Sequence, residues 1–404
     1  MKRLVLFLAL SAPLFAQTPA PTTVVLKPAR VFDGDALHED WVVVVRGERI
    51  AAAGPFAEVT TPAEAKVIPL PGATLLPGLI EAHSHVLLHP YNETPWNDQV
   101  AREPLALRIA RATNHLRATL LAGFTTIRDL GTEGAGYADV GLKLAVEQGI
   151  IPGPRMLVAT RAIVATGTYG PRGFAPEWTV PQGAEEASGV DELIRVTRDQ
   201  ISRGADWVKV YADYRWGARH EAAATFSVEE LRAVVETARS GHRGVSAHAA
   251  TVEGMRRATL AGVETIEHGN EGTAEIFQLM KEHGVAFVPT LSVGARDAAR
   301  RAMFKAALDS GVTIVNGSDV GVFSHGTEAL ELHMMVDFGM RPAAALNAAT
   351  ATSARVLHME KEIGRVQPGL FADLIAIEGD PTHDILALHN VTFVMKGGAV
   401  VKSP

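Results

Sequence analysis

The sequence predicts an α/β chain: a distorted (β/α)8 TIM-like barrel with a small β-sandwich built from both chain ends. Three observations lead there. A helix–glycine–apolar-strand unit recurs through the middle of the chain. Polar residues fall where those strands end. Short β-type runs with Gly and Pro turns flank the middle on both sides.

The chain has 404 residues, 47% of them hydrophobic, which is ample for a sizeable core. Its formal net charge is -7, and no basic stripe interrupts the mixed charges, so no nucleic-acid partner is expected. There is no cysteine, which excludes disulfides and thiolate ligands. Any metal must then be held by His, by carboxylates or by a group made from Lys.

At the N-terminus, Lys2 and Arg3 precede an apolar run from Leu4 to Phe15. This is the pattern of a signal peptide over residues 1–16, and it predicts an exported protein, periplasmic or secreted. The run is shorter than the roughly 20 residues a membrane span needs, so none is expected. A buried first helix is the other reading of the run. The Pro/Thr-rich stretch 17–23 speaks against it, because it reads as a linker.

Residues 24–74 hold VVLKPARVFDG and WVVVVRGERIAAAG, and residues 358–404 hold IGRVQPGLFADLIAIEG and VTFVMKGGAVV. These strand-and-turn patterns are expected to join as one sandwich. The barrel is expected over residues 75–357. Its repeated unit passes through Gly123, Gly204, Gly262, Gly284 and Gly311. Glycine suits the left-handed position just past a helix end. The run after each is nearly all apolar, as in a parallel strand buried on both faces. Arg128, Asp129, Lys209, His248, His268 and Asp319 close such runs, and LLPGLIEAHSH ends in His83 and His85. In α/β barrels the C-terminal strand ends form the reaction face.

In a strand, residues i and i+2 face the same side, so His83 and His85 can reach one cation. Alone, the pair is equally two unrelated histidines. His248 and His268 end strands one βα unit apart, and imidazole is the commonest nitrogen ligand of zinc-like ions. Asp319 can ligate a metal and take a proton from water, or it can cap the next helix. Lys209 stands inside DWVKVY, where a free ammonium is costly to bury. Its tip could escape to solvent or pair with an acid. The specific alternative is a carbamate made with CO2, which could bridge two cations.

This set resembles the binuclear subtype of the amidohydrolase superfamily: HxH on the first strand, Lys on the fourth, His on the fifth and sixth, Asp on the eighth. PGLIEAHSH is similar to that family's opening strand, and IGRVQPGLFADLIAIEGDP to its returning sandwich segment. The resemblance implies two divalent ions, zinc as the expected metal. His83, His85 and Asp319 would hold one ion, His248 and His268 the other, and N6-carboxylated Lys209 would bridge them. It implies a metal-bridging hydroxide as nucleophile, with Asp319 moving its proton to the leaving amine.

Within the superfamily the chain resembles the exported Xaa-Pro dipeptidase-like and imidazolonepropionase-like group, which includes ochratoxin-type amide hydrolases. The implied substrate is a small amide or dipeptide with a C-terminal carboxylate, an Xaa-Pro dipeptide or N-acyl amino acid. An anionic end calls for a donor or cation. Tyr211 is the first candidate, on the same strand side as Lys209. Tyr169 and Arg172 in ATGTYGPRGF, Arg215 in YADYRWG, and His325 in GVFSHGTE follow. Relatives often carry Gly-Gly-His where this chain has Gly167-Thr168-Tyr169, so a histidine contact to substrate is expected to be missing or replaced, a departure that speaks against an exact Xaa-Pro assignment. Two rivals remain. A mononuclear cyclic-amide hydrolase or deaminase would usually lack the bridging Lys and carry a Glu shortly after the fifth-strand His, where this chain has Ala249, Ala250 and Thr251. A non-catalytic binding protein could use the same barrel. Homo-oligomerisation is left open.

Overall fold

The computed structural model describes residues 22–175, 177–216, 221–294 and 296–404. The expected signal peptide and most of the linker lie outside the described residues. Among the described residues no helix is long and apolar enough to cross a membrane.

Each glycine of the repeated unit stands at positive φ, from 70° at Gly284 and Gly311 to 110° at Gly204. Each ends a helix and releases the chain into a strand-position segment, because only glycine enters this region without a Cβ clash. The strands Leu79–Ser84, Phe124–Asp129 and Arg155–Val158 pair in parallel. Ile163–Val164, Trp207–Tyr211, Gly244–Ala249, Thr265–His268 and Ala286–Val288 form the second parallel run. The third barrel position is split between Arg155–Val158 and Ile163–Val164, with Thr160 at φ 59° between them.

The eighth position differs from the sequence expectation of a regular last strand. Residues 313–320 bond both neighbours as irregular chain. Phe287 N donates to Thr313 O (2.8 Å) and Val315 N to Phe287 O (2.9 Å). On the other side Ala82 N donates to Asn316 O (3.0 Å) and Asp319 N to His83 O (2.8 Å). These bonds close the ring. The irregularity has a steric cause at Gly317. A Cβ there would lie 2.4 Å from Val288 Cγ1 and 2.9 Å from His83 Cβ, so the backbone passes closer than a side chain allows.

The two chain ends meet in one eight-stranded sheet. Its junction is the antiparallel pairing of Lys66–Pro77 with Leu374–Glu378. The sheet folds over itself, so Val45 and Ile50 from one end share a core with Phe393 and Met395 from the other.

Candidate metal centre

The expected ligands arrive on separate strand ends and converge. His83, His268 and Asp319 each offer a ligand atom, all within 4.8 Å of one another. His85 joins through Asp319, whose Oδ1 lies 3.2 Å from His85 Nε2 and 3.4 Å from His83 Nε2. His248 joins through His268, with ring centroids 4.6 Å apart. Asp319 does not cap a helix: it stands at φ 63°, and the next helix, Ala329–Asp337, begins well after it. His268 (φ 74°) and Thr290 (φ 45°) are also left-handed. Such strain in residues with a Cβ gathers where function over-determines the backbone.

Three of the four imidazoles are fixed by a hydrogen bond through the nitrogen that faces away from the cluster. His83 Nδ1 lies 2.8 Å from Glu267 Oε2, His85 Nδ1 2.9 Å from Gly131 O, and His268 Nδ1 2.8 Å from Thr290 Oγ1. His248 Nε2 faces Asp213 Oδ1 at 3.6 Å, and its ring stacks on Tyr211 at 4.5 Å. Such partners set the tautomer and leave the other nitrogen's lone pair for a cation. Burial, with the charge of Lys209, pulls His83 down to about 4 and His248 to about 3, so both rings are neutral near pH 7. His85 goes the other way. Burial opposes its charge, but the hydrogen bond and charge of Asp319 raise it to about 9. Burial also works against ionised Asp319, yet His83 and His85 hold its carboxyl below the usual value.

Lys209 is fully buried, and its Nζ has no hydrogen-bond partner. Neither bland alternative holds: the tip does not reach solvent, and no acid lies within ion-pair distance among the described residues. Burial lowers its amine to about 8, with the charges of Glu267 and Asp319 opposing the fall. Its charge acts on His83, His248, His268 and Asp319, which places this unpartnered amine beside the cluster.

Several residues escaped the sequence reading. Glu267, one residue before His268, is completely buried and accepts from Arg128 Nη2 (3.1 Å), Ser246 Oγ (2.7 Å) and Thr265 Oγ1 (2.6 Å) besides His83. A Glu inside an otherwise apolar strand was the signal available. Gly131 and Thr290 gave none, since a carbonyl and a loop hydroxyl have no sequence signature.

The substrate candidates separate. Tyr211 and Tyr169 are both buried, with ring centroids 4.8 Å apart, and the Tyr169 hydroxyl donates to Glu133 Oε2 at 2.6 Å. Arg215, on the hairpin Asp213–Trp216/Glu221–Ala224, lines a cavity of about 700 Å³ together with Tyr214, His248, His268, Arg300 and Asp319. Arg172 is exposed, and its carbonyl accepts from Asn97 Nδ2 at 2.9 Å, outside the residues lining that cavity. His325 also lies outside that lining. It is stacked on His115 at 4.3 Å, with Nε2 3.3 Å from Leu88 O.

Comparison with known proteins agrees with this geometry. The amidohydrolase family profile matches residues 74–402. The chain is 32% identical over 373 residues to ochratoxinase from Aspergillus niger, covering 82% of this chain and 76% of that one. It is 26% identical over 410 residues to imidazolonepropionase from Symbiobacterium thermophilum, covering 93% and 92%. Among solved structures, a Xaa-Pro dipeptidase with bound methionine superposes with a TM-score of 0.85 at 29% identity, over 95% of this chain and 100% of that one.

Proposed function

The chain belongs to the amidohydrolase family and is a hydrolytic enzyme acting on amide bonds; from this premise we propose that its substrate is a small amide or dipeptide with a C-terminal carboxylate, an Xaa-Pro dipeptide or an N-acyl amino acid of the ochratoxin kind, cleaved with two divalent ions. The observation that carries the two-ion reading is Lys209, a buried amine without a hydrogen-bond partner beside His83, His248, His268 and Asp319. Its amine would add to the carbon of CO2 and release a proton, giving a carboxylate-like carbamate. His83, His85 and Asp319 would hold one ion, His248 and His268 the other, and the carbamate would bridge them. The ions, zinc in the first instance, would supply an activated water and polarise the amide carbonyl.

The chain's own residues do the rest. Glu267, Gly131 and Thr290 keep three imidazoles in one tautomer and one orientation. Asp319, held ionised by its histidine neighbours, takes the water's proton and delivers it to the leaving amine. The substrate names carried by ochratoxinase and the Xaa-Pro dipeptidase support a carboxylate-bearing amide.

The test is metal content by plasma mass spectrometry, alongside hydrolysis of a panel of Xaa-Pro dipeptides and N-acyl amino acids with added zinc. The expected result is about two ions per chain and turnover of at least one panel class. One ion per chain would favour the mononuclear cyclic-amide hydrolase or deaminase. Full loading without turnover would favour a non-catalytic binding protein.

A further inference from the structure

The cavity wall carries a buried cation that the metal centre does not use. Arg300, in the helix Ala298–Ser310, is only 8% exposed and lines the same cavity as His248, His268 and Asp319. Its Nη2 is engaged, donating to the carbonyls of Pro289 (3.3 Å) and Thr290 (2.7 Å). Its Nε is buried without a hydrogen-bond partner. A guanidinium has five N–H donors, and the two carbonyls accept only from Nη2, so donors remain for a ligand that reaches the cavity wall. Gly294 makes the space: a Cβ there would lie 2.3 Å from both Cζ and Nε of Arg300. Gly294 itself is extended (φ -106°, ψ 170°), so its backbone does not demand glycine; the guanidinium does.

We propose that Arg300 is the residue that receives the substrate's carboxylate at the cavity wall, with its Nη2 holding the Thr290 turn and its Nε closed off beneath Gly294. This rests on the amide-hydrolase reading above. Thr290 Oγ1 in turn meets His268 Nδ1 at 2.8 Å, so one guanidinium links the carboxylate subsite to a metal-facing imidazole. Arg215 also lines the cavity but is exposed, and a hydrated charge holds an anion less strongly than a desolvated one. Asp297 and Glu271 on the same wall disfavour a dianion, which leaves a monocarboxylate as the ligand class.

The test reads binding, so it does not depend on turnover. Zinc-loaded protein is titrated calorimetrically with N-acetyl-L-phenylalanine and with its neutral analogue N-acetyl-L-phenylalaninamide. The wild type is expected to prefer the carboxylate. Arg300→Gln is expected to lose about 100-fold in carboxylate affinity and to keep amide affinity within about threefold. Arg300→Lys should recover part of the loss. Gly294→Ala, which displaces the guanidinium without straining the backbone, should show the same selective loss and serves if Arg300→Gln does not fold. No carboxylate preference in the wild type, or equal losses for both ligands, overturns the proposal. Hydrolysis by the same samples reports separately: a wild type that binds the carboxylate through Arg300 yet cleaves nothing defeats the enzyme reading and leaves this subsite standing.

Discussion

The floor of the site and its mouth are built on different principles. On the floor, Glu81, His83, Arg128, Lys209 and Glu267 come from four strands, and each is at most 1% exposed. Three of its imidazoles have a hydrogen-bonded partner on the nitrogen facing away from the cluster. At the mouth, Arg215, Glu271 and Asp297 are exposed and sit on a hairpin or on turns. The floor can hold charge because parallel strands fix its partners and exclude water. The mouth can change its contacts at little cost to the fold, as loops do. On the proposed function, chemistry is set by the floor and selectivity by the mouth.

The largest effect should follow from removing the floor's unpartnered amine. Lys209→Ala is expected to lower kcat by about 1000-fold or more, with metal content falling below that of the wild type. Short carboxylic acids should restore part of the activity by entering the vacated space. Normal activity with normal metal content would remove the bridge from the account.

Glu267→Gln tests whether the floor works through orientation. The amide keeps the shape but takes the charge away from His83 Nδ1 and from buried Arg128. Loss of such a partner typically weakens metal affinity by about 10–100-fold. Competition with a chelator would read this directly. Unchanged affinity, with lowered thermal stability alone, would mean that Glu267 supports the strands and not the ligands.

The two regions also differed in how far the sequence revealed them. The candidate ligands Lys209, His268 and Asp319 were readable because each ends an apolar run after a helix-ending glycine, while His83 and His85 were read from their i, i+2 spacing at the end of LLPGLIEAHSH. Glu267 was not, although it sits beside His268. Its partner His83 is 184 positions away, and only barrel closure brings them together. The irregular eighth segment was hidden for the same reason, since the close approach at Gly317 depends on Val288 and His83. At the mouth, Arg300 carries no sequence signature that separates it from Arg301 beside it. Its burial comes from the turn 289–294 folding over it, which no local pattern encodes.

The smallest effect on activity, and the sharpest test of the mouth's independence, concerns Glu331. It is fully buried on the helix Ala329–Asp337 and clamps the mouth turn. Its carboxylate accepts from Leu291 N (2.8 Å), Ser292 N (2.8 Å) and Ser292 Oγ (2.7 Å). Burial raises this carboxyl from 4.5 to about 7, against those hydrogen bonds. The folded protein thus binds this proton more tightly than the unfolded chain does. The resulting stability is complete below pH 4.5 and is lost as the pH rises through about 7. At about 1.4 kcal/mol per pH unit, the loss reaches at most about 3.5 kcal/mol. Glu331→Gln does not titrate, but its amide faces Ser292 N with a donor, a constant cost of about 1–2 kcal/mol. Denaturant unfolding should therefore find the variant less stable than the wild type at pH 5, with the gap closing or inverting by pH 8. Activity at neutral pH should stay within about threefold, because the metal floor is untouched. A gap that does not change with pH would show that Glu331 is ionised in the fold, and a large loss of activity would show that the mouth turn and the floor are one unit through Thr290 and His268.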